Sequence, residues 1–290
     1  MLQYITHQKI DFNKWDQCLD NCLNALPYAY SSYLNIVTQG KWDAIILDDY
    51  SAVFPIPFKN NIFNLKIIQP FFTQQLGLFY AKKEDALLLS ECIEMMKRKF
   101  KRYYLHLNTE NFLDSKMNRI TYHLALNAPY ERLKNNYGSA VKKNIKAAEK
   151  YQFKIENDLH VPQFILFVKK YLSDKTSDLH SKDYQILETL MKDQIRQKKG
   201  FLIAVKNDTD DLLSAAFILH SNKMLIYLVA MSSDEGRKKQ SMTFLIDNLI
   251  QTYSGTETLL DFEGSMIPGI AHFYKSFAAQ KKEFAVLTSS

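Results

Sequence analysis

Apolar positions along the first third of the chain repeat with two different periods. Phe12, Trp15, Leu19, Cys22 and Leu23 recur at helical intervals, which predicts a helix from Asp11 to Leu26 closed by Pro27. The period then shortens to two. Asp43 to Leu47 and Tyr50 to Pro57 read as strands joined by a polar Asp48-Asp49 turn, with a third extended run from Phe63 to Gln69 before Pro70. A helix from Glu84 to Phe100 and a short alternating strand from Tyr103 to Leu107 follow.

The second half repeats this order. Helical patterns at Val161 to Leu172 and Asp183 to Lys198 precede strands at Phe201 to Lys206, Leu212 to His220 and Met224 to Met231. A helix from Lys238 to Thr252 leads to a strand from Thr258 to Phe262. A helix from Gly269 to Ala278 carries Ile270, Phe273, Tyr274 and Phe277 on one face, and a last strand runs from Glu283 to Leu287. Helix, three strands, helix, strand therefore occurs twice, without residue identity between the copies. The expected fold class is α/β (α+β) in two tandem domains, residues 1–150 and 151–290. Tyr130 to Lys150 forms a basic connecting helix and the boundary falls near Lys150.

Composition narrows the class. Glycine and proline are sparse among 290 residues and aromatics are plentiful, so the chain folds throughout. A net charge of +6 suits an anionic ligand without requiring one. Three cysteines, Cys18, Cys22 and Cys92, have no Cys/His set around them and read as buried thiols in a reduced compartment. The start lacks a basic-then-apolar leader and no apolar run approaches about 18 residues, so a cytoplasmic protein with no membrane span is expected. The seven histidines, among them His106, His123, His220 and His272, show no HExxH or other ligand spacing and read as structural, with no metal expected. His272 alone falls in the segment that carries the candidate chemistry.

That segment is Leu259 to Phe277. Leu260-Asp261-Phe262-Glu263-Gly264-Ser265 followed by Phe273-Tyr274-Lys275-Ser276-Phe277 resembles the strand, loop and helix at the C-terminal end of the Fem peptidoglycan-bridge aminoacyltransferases. Val141 to Ala148 resembles the basic helix that opens their second domain. The element order of the second half, and the Tyr274 to Ala279 stretch, resemble the GNAT N-acyltransferases. The resemblance covers roughly the last half of the chain and implies two tandem GNAT-like domains, each a mixed, mostly antiparallel sheet flanked by helices.

Acyl transfer to an amine needs a neutral nitrogen, a polarised carbonyl and an acid for the leaving group. Asp261 and Glu263 alternate with Leu260 and Phe262, so on a strand they share one face at its C-terminal end and either can act as base; each can equally cap a helix or bond backbone. By the GNAT resemblance, Tyr274 protonates the thiolate of coenzyme A, while its register with Phe273 and Phe277 also fits core packing. The stretch matching the GNAT pyrophosphate loop is Glu235 to Met242. Gly236, Arg237, Lys238, Lys239 and Ser241 are its candidate cofactor residues, although Lys239-Gln240 and Met242 replace the family's internal glycines. Ala278 likewise stands where both families have glycine. Lys142 and Lys146 line one face of the basic helix, which by the Fem resemblance lies near an RNA-borne or phosphorylated substrate and makes them candidate substrate contacts; a solvated face explains the same pattern. Gln74 and Gln75, in the aromatic and amide-rich run Gln69 to Gly77, either line a substrate groove or pack as a loop.

Three readings stay open. The first is an N-acyltransferase moving an acyl group from acyl-coenzyme A to an amine. The second is a Fem-like transferase using aminoacyl-tRNA and a peptidoglycan-type amine acceptor. The third is a non-catalytic binding protein on the same scaffold.

Overall fold

The computed structural model describes residues 1–61, 64–172, 179–221, 223–264 and 266–289. Phe63, where the third extended run was expected to begin, and Ser265 of the candidate segment lie outside the described residues. By contacts the chain divides into two compact units, Met1–Arg119 with Glu283–Ser290, and Ile120–Lys282.

In the first unit, β1 (Leu2–Ile5), α1 (Phe12–Asn21) and α2 (Ser31–Thr38) precede β2 (Trp42–Leu47), β3 (Ala52–Asn61), β4 (Asn64–Ile67) and β5 (Phe79–Tyr80). Then come α3 (Leu89–Lys99) and β6 (Arg102–His106). Asp11 starts α1 by accepting hydrogen bonds from the backbone of Asn13 and Lys14. The helix stops five residues short of the expected Leu26. Cys22 already has extended backbone, and Pro27 opens a separate short 3-10 turn. The polar turn between β2 and β3 is present, with Asp48 and Tyr50 both left-handed. β1 and β3 flank β2 antiparallel, and β4 joins β3 to β6 through a parallel pairing. Trp15 and Trp42 meet edge to face, with ring centroids 4.9 Å apart, at the centre of the buried layer. The Cys18 and Cys22 thiols face each other at 3.8 Å and are free, as is buried Cys92.

The second unit begins within β7 (Asn118–Ala125) and continues through α4 (Tyr130–Asn135), α5 (Ser139–Ala148), β8 (Lys154–Glu156), α6 (Val161–Leu172) and α7 (Ser181–Arg196). It proceeds with β9 (Gly200–Lys206), β10 (Leu212–Ser221), β11 (Met224–Ser232), α8 (Asp234–Lys238), α9 (Ser241–Tyr253), β12 (Leu259–Asp261) and α10 (Pro268–Lys275). β13 (Gln280–Thr288) closes the chain. The strand order is β7-β12-β11-β10-β9-β8, antiparallel except for the β11–β12 pair. α9 covers one face of this sheet, and α6 and α7 pack on β11 and β9.

The repeated order of helices and strands is therefore present. The contact division, however, falls at Arg119/Ile120, whereas the sequence pattern placed a boundary near Lys150. The basic helix explains the difference: Val141, Ile145 and Ala148 of α5 are buried, and Val141 and Ile145 join the core that α9 builds with Leu245, Ile246 and Leu249. Tyr130 at the start of α4 also donates to Asp247 of α9 at 2.8 Å. Residues 120–150 thus belong to the second unit through packing that no local pattern encodes.

Candidate active site

The C-terminal end of β12 organises the candidate segment. Leu260 points into the core shared with Leu124 and Leu225, and alternation turns Asp261 to the opposite face. β12 ends at Asp261 because the chain turns there. The Asp261 carboxylate accepts the Glu263 backbone N–H on Oδ1 at 2.8 Å, and the Thr121 hydroxyl donates to the same oxygen. Glu263 and Gly264 then both adopt left-handed backbone, with φ of 57° and 59°. A side chain at Gly264 would put its Cβ 2.3 Å from the Ile120 carbonyl oxygen, so only glycine lets this turn lie against β7. Asp261 and Glu263 accordingly do not share a strand face, as their spacing had suggested. Asp261 is buried at 1% exposure, while Glu263 occupies the turn and is half-buried.

Tyr274 meets this corner from α10. Its ring stacks on Phe262 with centroids 4.9 Å apart and lies edge-on to Tyr227 at 6.1 Å. No group among the described residues hydrogen-bonds its hydroxyl. Burial, and then the Glu263 and Asp261 carboxylates, raise this phenol well above the ordinary tyrosine range, so it keeps its proton at neutral pH. Tyr227 beneath it is raised likewise by burial and donates to Met242 Sδ at 2.7 Å. Ala278, past the end of α10, has φ of 65°, the conformation for which glycine is the ordinary choice. His272 is exposed on α10.

The loop between β11 and α9 is committed to its own structure. Gly236 is buried with its backbone against β10, where a Cβ would stand 2.1 Å from the Leu213 carbonyl oxygen; its purpose is close packing. Ser241 is fully buried and its hydroxyl lies 2.6 Å from that of Ser214, so it presents nothing to a ligand. Arg237 donates to the Ser232 carbonyl at 2.6 Å and pairs with Asp234, and Lys239 pairs with Glu235 at 2.6 Å. Lys238 is exposed. The expected cofactor set thus reduces to exposed or internally paired cations at the start of a helix.

Lys142 reaches back to the Asn135 carbonyl at 2.8 Å, whereas Lys143 and Lys146 stand exposed on the outer face of α5. Gln74 and Gln75 belong to the first unit and pack as a loop. Gln75 is buried at 1% exposure, donates to the Gln74 side chain at 2.6 Å and accepts from Thr109 N–H at 3.0 Å. Gly77, with φ of 104°, closes this loop against Asn111. Of the two readings of this run, the loop packing is the one these bonds describe. Among the described residues no group of three His, Cys, Asp or Glu side chains could hold a metal ion. No described helix is long and apolar enough to cross a membrane. A surface cleft in the first unit is bounded by Leu2, Glu91, Glu94, Met95 and Arg98, and none of the candidate residues lines it.

The sequence pattern read His123 as structural, with no link to Asp261. His123 of β7 lies directly opposite Asp261 in the ladder, with its Nε2 3.3 Å from Asp261 Oδ2. Its only trace in the sequence is the alternation of Thr121 and His123 on one strand face, which acquires meaning once β7 is paired with β12.

No family model and no curated protein sequence matches the chain. Solved structures do. A crystal structure of FemX matches at 12% identity, over 97% of this chain and 96% of that one, with a TM-score of 0.71. The C-terminal domain of a protein named as a lysylphosphatidylglycerol synthetase from Agrobacterium fabrum matches at 9% identity over 98% and 92%, with a TM-score of 0.57. L-PGS from Bacillus licheniformis matches at 10% identity over 96% and 92%, with a TM-score of 0.53. At these identities the likeness is one of fold, and that fold is shared with FemX over nearly the whole chain.

Proposed function

We propose that the chain is an N-acyltransferase of the Fem kind, moving an aminoacyl group from an RNA-borne ester to an amine acceptor. The observation that carries the reading is Tyr274, a half-buried tyrosine stacked on Phe262 at a strand-to-helix corner and with no hydrogen-bond partner for its hydroxyl among the described residues, within a fold shared with FemX over nearly the whole chain. A phenol raised by burial beside two carboxylates is a weaker acid than an ordinary tyrosine and suits a strongly basic departing alkoxide better than a thiolate. The exposed Lys143 and Lys146 on α5 suit a phosphate backbone, and binding through them is salt-dependent. Internal pairing of Arg237 and Lys239, together with burial of Ser241, favours this donor over a coenzyme A pyrophosphate.

A second reading, transfer from acyl-coenzyme A, draws on Tyr274 at the position where the GNAT resemblance puts the thiolate's acid. Acetyl-coenzyme A and unfractionated tRNA charged with labelled amino acids, each supplied with L-lysine or a lysine-containing peptide, separate the two. Amide product from charged tRNA supports the first reading, and product from the thioester supports the second. No product and no thermal stabilisation by either donor at millimolar thioester or micromolar tRNA refutes both and leaves a binding protein on this scaffold.

A further inference from the structure

The end of α1 brings two thiols together. Cys18 lies in the last turns of the helix and Cys22 is its C-cap, where the N–H bonds the Leu19 carbonyl at 3.1 Å and the backbone turns extended. Cys22 is therefore not held by the Cys18 carbonyl, as it would be in a continuing helix. Four positions of helix separate two Cα atoms by about 6 Å, inside the span that a disulfide covers. The sulfurs already face each other at 3.8 Å, Cys18 buried and Cys22 half-buried, so a further closure of about 1.8 Å makes the bond. Asp85, in the 3-10 turn Lys83–Leu88, is within electrostatic reach of both sulfurs and has a buried Oδ2 without a hydrogen-bond partner. The Cys22 S–H shared with Cys18 lowers the Cys18 thiol below its ordinary range, and the same bond, followed by burial, raises Cys22. Cys92, by contrast, is fully buried and pushed up to about 12 by that burial. Among the described residues no set of three His, Cys, Asp or Glu side chains makes the pair part of a metal site.

We propose that Cys18 and Cys22 form a reversible dithiol–disulfide site whose oxidant is a hydroperoxide. With hydrogen peroxide, one sulfur attacks a peroxide oxygen and the O–O bond breaks. A sulfenic acid forms, and the departing hydroxide leaves as water with the thiol's proton. The second sulfur then attacks the sulfenic sulfur; the S–S bond forms, the S–O bond breaks, and its oxygen leaves as a second water with the second thiol's proton. The two sulfurs together lose two electrons and the two peroxide oxygens gain them. A small dithiol reverses the step by exchange, itself ending as a disulfide. Oxidation stops at the disulfide because the second sulfur is at hand and because a sulfinate would be a further anion beside Asp85, whereas a disulfide is uncharged. The chain leaving Cys22 is already tied to β5: Leu23 N–H donates to the Tyr80 carbonyl at 2.9 Å, and the Asn24 side chain bridges the Leu78 carbonyl and the Tyr80 N–H. Oxidation thus fastens the end of α1 to the segment that holds this strand.

The test treats the folded wild type with a small molar excess of hydrogen peroxide and quenches it with acid. Maleimide labelling of the denatured chain then counts the thiols, and peptide mapping by mass spectrometry locates the bond. The expected product is a Cys18–Cys22 disulfide within one chain, with Cys92 still a thiol and all three thiols recovered by dithiothreitol. Loss of the pair should be at least about tenfold faster than loss of Cys92, whose thiol is almost wholly protonated. In Cys22→Ala, Cys18 should lose its thiol several-fold more slowly than in the wild type, because its hydrogen-bond donor and resolving sulfur are gone. A wild type that keeps every thiol overturns the proposal, as does one whose Cys18 and Cys22 end as separate sulfinic acids, in chain-to-chain disulfides, or in a bond that dithiothreitol does not reverse. Loss of Cys18 at the wild-type rate in Cys22→Ala overturns it as well; should that variant not fold, the wild-type map alone decides. None of these readouts uses turnover, so the outcome is independent of the transferase reading.

Discussion

Gly264→Ala isolates the turn that ends β12. At φ of 59° an alanine Cβ is strained by about 1–2 kcal/mol relative to glycine. The same Cβ would stand 2.3 Å from the Ile120 carbonyl oxygen and 2.5 Å from the Thr121 Cα. Both atoms belong to the backbone of a paired strand and cannot rotate away, so the turn has to move; overpacking of this kind costs about 1–3 kcal/mol. Together the expected loss is about 2–5 kcal/mol. For a unit of this size it lowers the melting temperature by roughly 5–15 °C, read by differential scanning calorimetry with urea unfolding as a check. Because the turn also carries Glu263 and its bond to Asp261, which faces His123, the folded variant should show a perturbed His123 NMR signal. A midpoint within about 1 °C of the wild type refutes the claim that close approach to β7 demands glycine here.

Three further outcomes are expected. Ala278→Gly relieves a left-handed alanine after α10 and should stabilise the chain by about 0.5–1 kcal/mol in urea unfolding; destabilisation would show that the alanine methyl is worth more than the strain. Tyr274→Phe removes a hydroxyl with no partner among the described residues, so stability should change by less than about 0.5 kcal/mol while kcat falls more than donor affinity; unchanged turnover removes its role as acid. His106 is held neutral by burial, its imidazole lowered to about 4 against an ordinary value near 6.5. Since the unfolded chain alone binds that proton between these values, its contribution is complete above about pH 6.5 and is lost as pH falls towards 4, amounting to roughly 3 kcal/mol. His106→Gln should flatten the stability profile in that window, and a profile as steep as the wild type's contradicts the assignment.

Periodicity alone was enough to read most elements, because helical and strand repeats are local. The apolar stripe of α5, the helical register of Phe273, Tyr274 and Phe277, and the polar Asp48-Asp49 turn all follow from neighbouring residues. α2 was missed: its eight residues lie between Pro27 and Trp42 without a long repeat, and its N-cap, Tyr30, makes no side-chain cap hydrogen bond. The ends of elements moved wherever a backbone bond intervened, as at Cys22 and at Asp261.

By itself, then, the sequence determined the order of helices and strands, its repetition, and the corner at which Tyr274 meets β12. Tertiary structure decided which groups there are available for chemistry. Alternation assigns faces within a strand but says nothing about the strand alongside, so the pairing of Asp261 with Thr121 and His123, the first separated from it by 140 positions, was invisible until β7 lay against β12. The same holds for Gly236 and Ser241. Both were candidates through the GNAT resemblance, and both are taken up by the packing of α8 and α9 on β10, because a glycine or a hydroxyl serves close backbone approach as readily as it serves a phosphate.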